Sequence, residues 1–143
     1  MDDLHKAYAY VVRKRNNRKE LLVFRHPNPE AGVQVPKGTI DPAEGPGEAV
    51  LRELEEESGL TIEDLGRVRT LRADRWRDPA RPEDPWTIRH FFTIETNEQR
   101  QRWQHVVTGA GLDQGMVFEY YWVPLPLKQK LIAEMDAYVK LLI

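Results

Sequence analysis

The 143-residue sequence predicts a mixed domain of the α/β (α+β) class. Three observations predict it. Short β-branched and aromatic runs recur along the chain, one of them paired to its neighbour by a tight turn. A run without Gly or Pro, rich in Leu, Glu and Ala, occupies residues 49–58. A second apolar pattern, this one of helical period, closes the chain.

Residues 7–12 and 20–25 are the first two predicted strands, and Arg15-Asn16-Asn17-Arg18 between them reads as a hairpin turn. Residues 33–36 form a short strand. Pro46 and Gly47 punctuate the start of the helix at 49–58, and Gly59 stands where a left-handed C-terminal cap belongs. Residues 67–73, 87–95 and 117–123 are further strands, with 103–107 as another. Residues 127–142 carry Leu127, Leu131, Met135, Tyr138 and Leu142 at helical spacing, which predicts a C-terminal amphipathic helix with its stripe in the core. Between two strands lies a proline-punctuated insert, residues 74–85, of a length common in lids and binding loops. No repeat or linker divides the chain, so residues 1–143 are expected to form one domain.

Composition is that of an ordinary globular protein, 41% hydrophobic and 31% charged. The absence of cysteine excludes disulfides and thiolate chemistry. The four histidines show no paired metal-ligand spacing, which argues against zinc. The charged start predicts no signal peptide, and no apolar run approaches spanning length, so a cytoplasmic protein without a membrane partner is expected. A net charge of −2 argues against general nucleic-acid binding. The charge is unevenly spread: residues 38–60 hold seven acids and one base, and the remainder is mildly basic. That distribution suits a polyanion held through metal and arginines.

The helix at 49–58 divides by angle. At about 100° per residue, Val50, Leu51 and Leu54 share the side that faces a core. Glu53, Glu56 and Glu57 share a separate arc, Arg52 lies beside Glu56, and Glu55 points away. Like charges three and four apart each cost a helix roughly 0.2–0.5 kcal/mol. Three carboxylates on one arc therefore call for a compensating cation. Arg52 supplies one charge, and a hard divalent ion supplies more. Glu44, in the loop before the helix, is placed to lie near the same site.

Residues 38–60 read G-x5-E-x7-R-E-U-x-E-E-x-G-U with U aliphatic, through Gly38, Glu44, Arg52, Glu53, Leu54, Glu56, Glu57, Gly59 and Leu60. All nine positions match the signature box, and the chain resembles the Nudix hydrolases. The resemblance implies an α/β/α sandwich around a mixed sheet, with the box as a loop–helix–loop. It implies hydrolysis of a diphosphate linkage by metal-activated water, with Mg²⁺ or Mn²⁺ as cofactor. Carried over by motif position, Glu56 and Glu57 are metal ligands and Glu53 is ligand or general base. Arg52 orients the carboxylates, and Gly38 gives a backbone carbonyl to the metal or permits the turn. Some family members draw the base from a later segment, where the candidates are Glu119, ranked first, and Asp113.

The entry Pro36-Lys37-Gly38 resembles that of the dinucleoside-polyphosphate, diphosphoinositol-phosphate and some nucleoside-triphosphate branches, and implies that Lys37 contacts phosphate. Arg25 is a further candidate phosphate contact, and Trp76 and Trp86, flanking the insert, are candidates to stack on a base. The partner expected is therefore a nucleotide, bound by a monomer or a homodimer. The leading substrate is a dinucleoside polyphosphate such as diadenosine tetraphosphate. Alternatives are a (d)NTP or an RNA 5′-triphosphate, and, in another class, a nucleotide-sensing module without catalysis.

Overall fold

The computed structural model describes residues 2–142. It places eight strands in one mixed sheet: β1 (Leu4–Arg15), β2 (Arg18–Arg25), β3 (Val33–Gln34), β4 (Lys37–Thr39), β5 (Leu65–Trp76), β6 (Thr87–Thr96), β7 (Arg102–Val106) and β8 (Val117–Pro124). The order is β5-β6-β1-β2-β8-β7, with β3 added to β2 and β4 to β1. Only β1 and β6 run parallel among these pairings. The predicted hairpin joins β1 to β2, with Arg15 opposite Arg18. Asn16 and Asn17 adopt φ of 50° and 63° there, a left-handed conformation that asparagine tolerates better than most residues.

The single α-helix among the described residues, α1 (Pro46–Ser58), begins with Pro46 in its first turn, where a missing N–H costs nothing. The Glu48 carboxylate accepts from the Gly45 N–H at 3.1 Å and so closes the N-terminus. Gly59 caps the other end at φ 81°, and its N–H donates to Glu55 O. Ala49, Val50 and Leu54 are buried against Ala7, Ala9, Val11, Phe92 and Ile94. The helix therefore packs on the sheet face formed by the odd positions of β1. The even positions, Tyr8 and Tyr10, face the opposite way into a second core with Val23 and Phe91.

The C-terminal segment covers that second face, and here the expectation of a continuous amphipathic helix is corrected. Leu131, Met135, Val139 and Leu142 are buried as the stripe requires. The backbone instead makes two short 3-10 turns, Ile132–Glu134 and Val139–Leu142. Distant side chains claim its carbonyls: Arg89 donates to Glu134 O at 3.1 Å, Tyr10 to Met135 O at 2.5 Å and Lys19 to Leu142 O at 3.0 Å. Ala133 and Glu134 sit at φ near +50°, which no α-helix accommodates. The α+β architecture, with layers on both faces of a mixed sheet, stands.

Candidate active site

A cleft of about 520 Å³ opens where β4 leaves β1, beside the charged face of α1. Its walls include Lys6, Lys37, Gly38, Arg52, Glu53, Glu56, Glu57 and the loop that carries Asp113. The angular division of the helix is realised. Val50 and Leu54 are buried, Glu55 is exposed, and Glu53, Glu56 and Glu57 line the cleft.

Arg52 organises this face. Its Nη1 donates to Glu53 Oε1 and to Glu56 Oε1, both at 2.9 Å. Its Nε and Nη2 grip the Glu44 carboxylate at 3.0 and 2.5 Å, and Nη2 also donates to Thr39 O at 3.0 Å. This fork holds the Glu44 carboxyl down at about 2, well below the usual carboxylate range. Glu57 differs: it is 7% exposed and accepts only from the Lys37 backbone N–H, at 3.0 Å. Burial pushes its carboxyl up to about 8, with Lys37 opposing the shift. Burial raises Glu53 as well, against the pull of Arg52.

Two glycines make room for these carboxylates. A Cβ at Gly38 would collide with the Glu53 carboxylate, and one at Gly109 with that of Glu56. Gly109, at φ 94°, follows Thr108, whose N–H donates to Glu56 O at 3.0 Å. The carboxylates therefore sit in cradles of bare backbone. Among the described residues no three carboxylate or imidazole groups already converge as a cage. Arg52 occupies the space between Glu53 and Glu56 instead. The donor set is oxygen only, which fits a hard ion that keeps several waters and shares its shell with substrate phosphate.

Lys37, the expected phosphate contact, lines the cleft. Lys6, from β1 opposite Thr39, is a cleft residue that sequence reasoning missed. Lys6 stands just before the apolar run Ala7–Val12, where nothing local marks it as a cleft residue. Burial and the nearby Lys37 lower its pKa. Asp113 lines the cleft and lies 3.6 Å from His26 Nε2. Glu119 does not line it. Phe118 and Tyr120 on β8 point into the α1 core, so Glu119 projects from the other face, beside Gln104 and Arg25.

The two tryptophans also lie elsewhere. Trp76 packs under the Arg89 guanidinium at 4.9 Å, and its Nε1 donates to Glu134 Oε2 at 2.5 Å. Trp86 is overlaid by Arg75 and Arg77 at 4.5 and 4.3 Å. Neither lines the carboxylate cleft.

Comparison with known proteins agrees with this picture. The family model of the NUDIX domain matches residues 4–139. RNA pyrophosphohydrolases of two Pseudomonas fluorescens strains are each 33% identical over 118 residues, covering 77% of this chain and 74% of the relative. Among solved structures, a MutT NUDIX hydrolase from Burkholderia pseudomallei superposes with a TM-score of 0.68 at 22% identity, covering 98% of both chains. A Caenorhabditis elegans Ap4A hydrolase binary complex gives 0.60 at 20% identity, over 95% of this chain and 84% of that one. The NUDIX domain of Shewanella oneidensis NrtR complexed with ADP ribose gives 0.66 at 18% identity, over 100% and 90%. The sequence box, the cleft built around it and the family match together establish that the chain belongs to the Nudix family of hydrolases.

Proposed function

We propose that this pyrophosphohydrolase cleaves a P–O–P bond in a nucleoside 5′-polyphosphate, and that it depends on a divalent ion, Mg²⁺ or Mn²⁺. The observation that carries the reading is one cleft lined by three carboxylates of α1 and two lysines, Lys6 and Lys37. Carboxylates alone would repel a polyphosphate, and lysines alone would not select for a metal. Together they suit a phosphate chain that arrives with its cation.

Glu56 and Glu57, with the Gly38 carbonyl, are the groups suited to hold the ion, which when bound neutralises phosphate charge and lowers the pKa of water. Arg52 fixes the Glu53 and Glu56 carboxylates in their rotamers. Glu53, half-buried and raised by burial, takes the proton of the attacking water. Lys6 and Lys37 bind the phosphates as point charges and orient the scissile bond for in-line attack. The Glu119 side chain stands apart from these groups, so the base is assigned to Glu53 in its place.

Dinucleoside polyphosphates such as diadenosine tetraphosphate are the leading substrate, supported by the Pro36-Lys37-Gly38 entry. The 33% identity to RNA pyrophosphohydrolases favours a second reading, release of pyrophosphate from a 5′-triphosphorylated RNA. A nucleotide sensor without turnover is disfavoured, because every box carboxylate is present and lines the cleft. We place the activity in the cytoplasm, in a monomer or homodimer. No helix among the described residues is long and apolar enough to cross a membrane.

Incubation with a panel of nucleotides, with Mg²⁺ or with chelator, and with identification of products, tests the reading. Diadenosine tetraphosphate is expected to give ATP and AMP, and triphosphorylated RNA to give pyrophosphate. Absence of any metal-dependent product across the panel would refute it.

A further inference from the structure

The carboxylate cleft accounts for the phosphates and leaves the rest of the substrate unread. A second hollow, of about 330 Å³, lies on the opposite face of the sheet and includes Arg25, Arg102, Gln104, Glu119 and Tyr121. A neighbouring hollow of about 670 Å³ shares Arg25, Gln104 and Glu119 and reaches His26. His26 pairs with Asp113, which belongs to the carboxylate cleft. The His26–Asp113 contact, at 3.6 Å, is the point where these hollows come nearest to the place where the phosphates are proposed to lie.

Its chemistry is ordered. Register places Arg25 opposite Glu119 across β2 and β8, and Glu119 opposite Gln104 across β8 and β7. Three adjacent strands therefore present, side by side, a guanidinium donor, a carboxylate acceptor and an amide. Cross-strand neighbours stand about 5 Å apart, a spacing comparable to the width of a purine edge. The Gln104 amide donates to one Glu119 oxygen at 3.2 Å, and a carboxylate retains further acceptor sites. The Arg25 guanidinium lies 4.9 Å from the Tyr121 ring centroid, so that ring supports the donor end of the row.

We propose that this row reads the Watson–Crick edge of guanine, making the favoured substrate a guanosine polyphosphate. The inference rests on the nucleotide-polyphosphate reading above and narrows it, putting diguanosine tetraphosphate in place of diadenosine tetraphosphate as the leading dinucleoside substrate. Guanine presents O6 as an acceptor, then N1–H and N2–H₂ as adjacent donors. Arg25 faces the first and Glu119 accepts from the other two in a bidentate, charge-assisted pair. Adenine sets its N1 lone pair against the carboxylate, cytosine does the same with N3, and uracil flanks its one N–H with two carbonyls. Each of these would leave Glu119 unpaired or repelled, and a site built to pair a polar edge rejects ligands that lack it.

Equilibrium binding of GMP and AMP, measured by calorimetry without divalent ion, tests this without requiring turnover. GMP is expected to bind the wild-type chain roughly tenfold tighter or more, and Glu119→Gln to bring the two within about threefold. Gln104→Leu, at another exposed position, is expected to narrow the gap in part. Equal affinities in the wild type, or a preference that survives Glu119→Gln, would overturn the proposal. A chain that prefers GMP yet hydrolyses nothing would refute the hydrolase reading and leave this one standing. Turnover of guanosine- and adenosine-initiated triphosphorylated dinucleotides, beside diguanosine and diadenosine tetraphosphate, shows which source supplies the base. Loss of guanine preference in both pairs would also overturn it.

Discussion

Two arginines anchor clusters on opposite faces of the sheet, and they differ in balance. Arg89 is 2% exposed and pairs with one carboxylate, Asp74, at 2.6 Å. Tyr138 donates to the same carboxylate, and Trp76, Tyr8 and Phe91 surround the guanidinium. Arg52 is 32% exposed and serves Glu44, Glu53 and Glu56, with Glu57 nearby and unserved by it. One cluster is charge-matched, shielded from solvent and far from the cleft. The other holds a surplus of negative charge against an open one. A matched buried pair keeps a chain segment in place, whereas a surplus beside a cleft favours the approach of a cation.

Removing each arginine should separate these roles. Arg89→Met leaves Asp74 without its partner and loosens the C-terminal segment. We expect a loss of about 3 kcal/mol in denaturant unfolding, with turnover of the folded protein retained. Arg52→Lys keeps the charge but not the fork that aims Glu53 and Glu56. It should lower kcat about a hundredfold with little change in the unfolding midpoint. The reverse pattern, a dead Arg89→Met or an active Arg52→Lys, would break the comparison.

Acidity sharpens it. Glu57 has a folded pKa of about 8, above its ordinary value, so the folded state binds the extra proton between those two values. Its effect on the metal-free protein is therefore destabilising as pH rises from about 4.5 through 8. A divalent ion held by Glu57, as proposed, would replace that proton. The rise in Tm on adding Mg²⁺ should accordingly be larger at pH 8 than at pH 6, and a pH-independent shift would contradict the assignment. Glu44 acts in the opposite sense. Its folded pKa is depressed to about 2, so its contribution is present above the ordinary value and is lost as pH falls toward 2. The smallest effect is expected at Trp86, in contact with Arg75 and Arg77 outside the cleft. Trp86→Ala should change stability by about 0.5 kcal/mol and leave KM for nucleotide unaltered, whereas a large rise in KM would restore its predicted stacking role.

Legibility in the sequence followed the range of the interactions. The hairpin at Asn16-Asn17, the Gly59 cap and the division of α1 into apolar and acidic arcs are local, and all three are present in the structure. The C-terminal helix was not decidable locally. Its carbonyls are claimed by Arg89, Tyr10 and Lys19 from strands more than forty residues distant, and no period in residues 127–142 records that. Glu119 was ambiguous because Tyr120, Tyr121, Trp122 and Val123 are all apolar or aromatic, which hides the two-residue alternation. Lys6 joins the cleft only because β4 pairs with β1.

Glu57 and Glu55 stand two residues apart on one helix, one buried in the cleft and one exposed. Turnover of diadenosine tetraphosphate, or of whichever nucleotide the panel selects, should be measured with Mg²⁺ for Glu57→Gln and Glu55→Gln. We predict a folded Glu57→Gln protein whose kcat falls roughly a thousandfold and a Glu55→Gln protein within about twofold of wild type. Equal losses in the two, or an active Glu57→Gln, would contradict it.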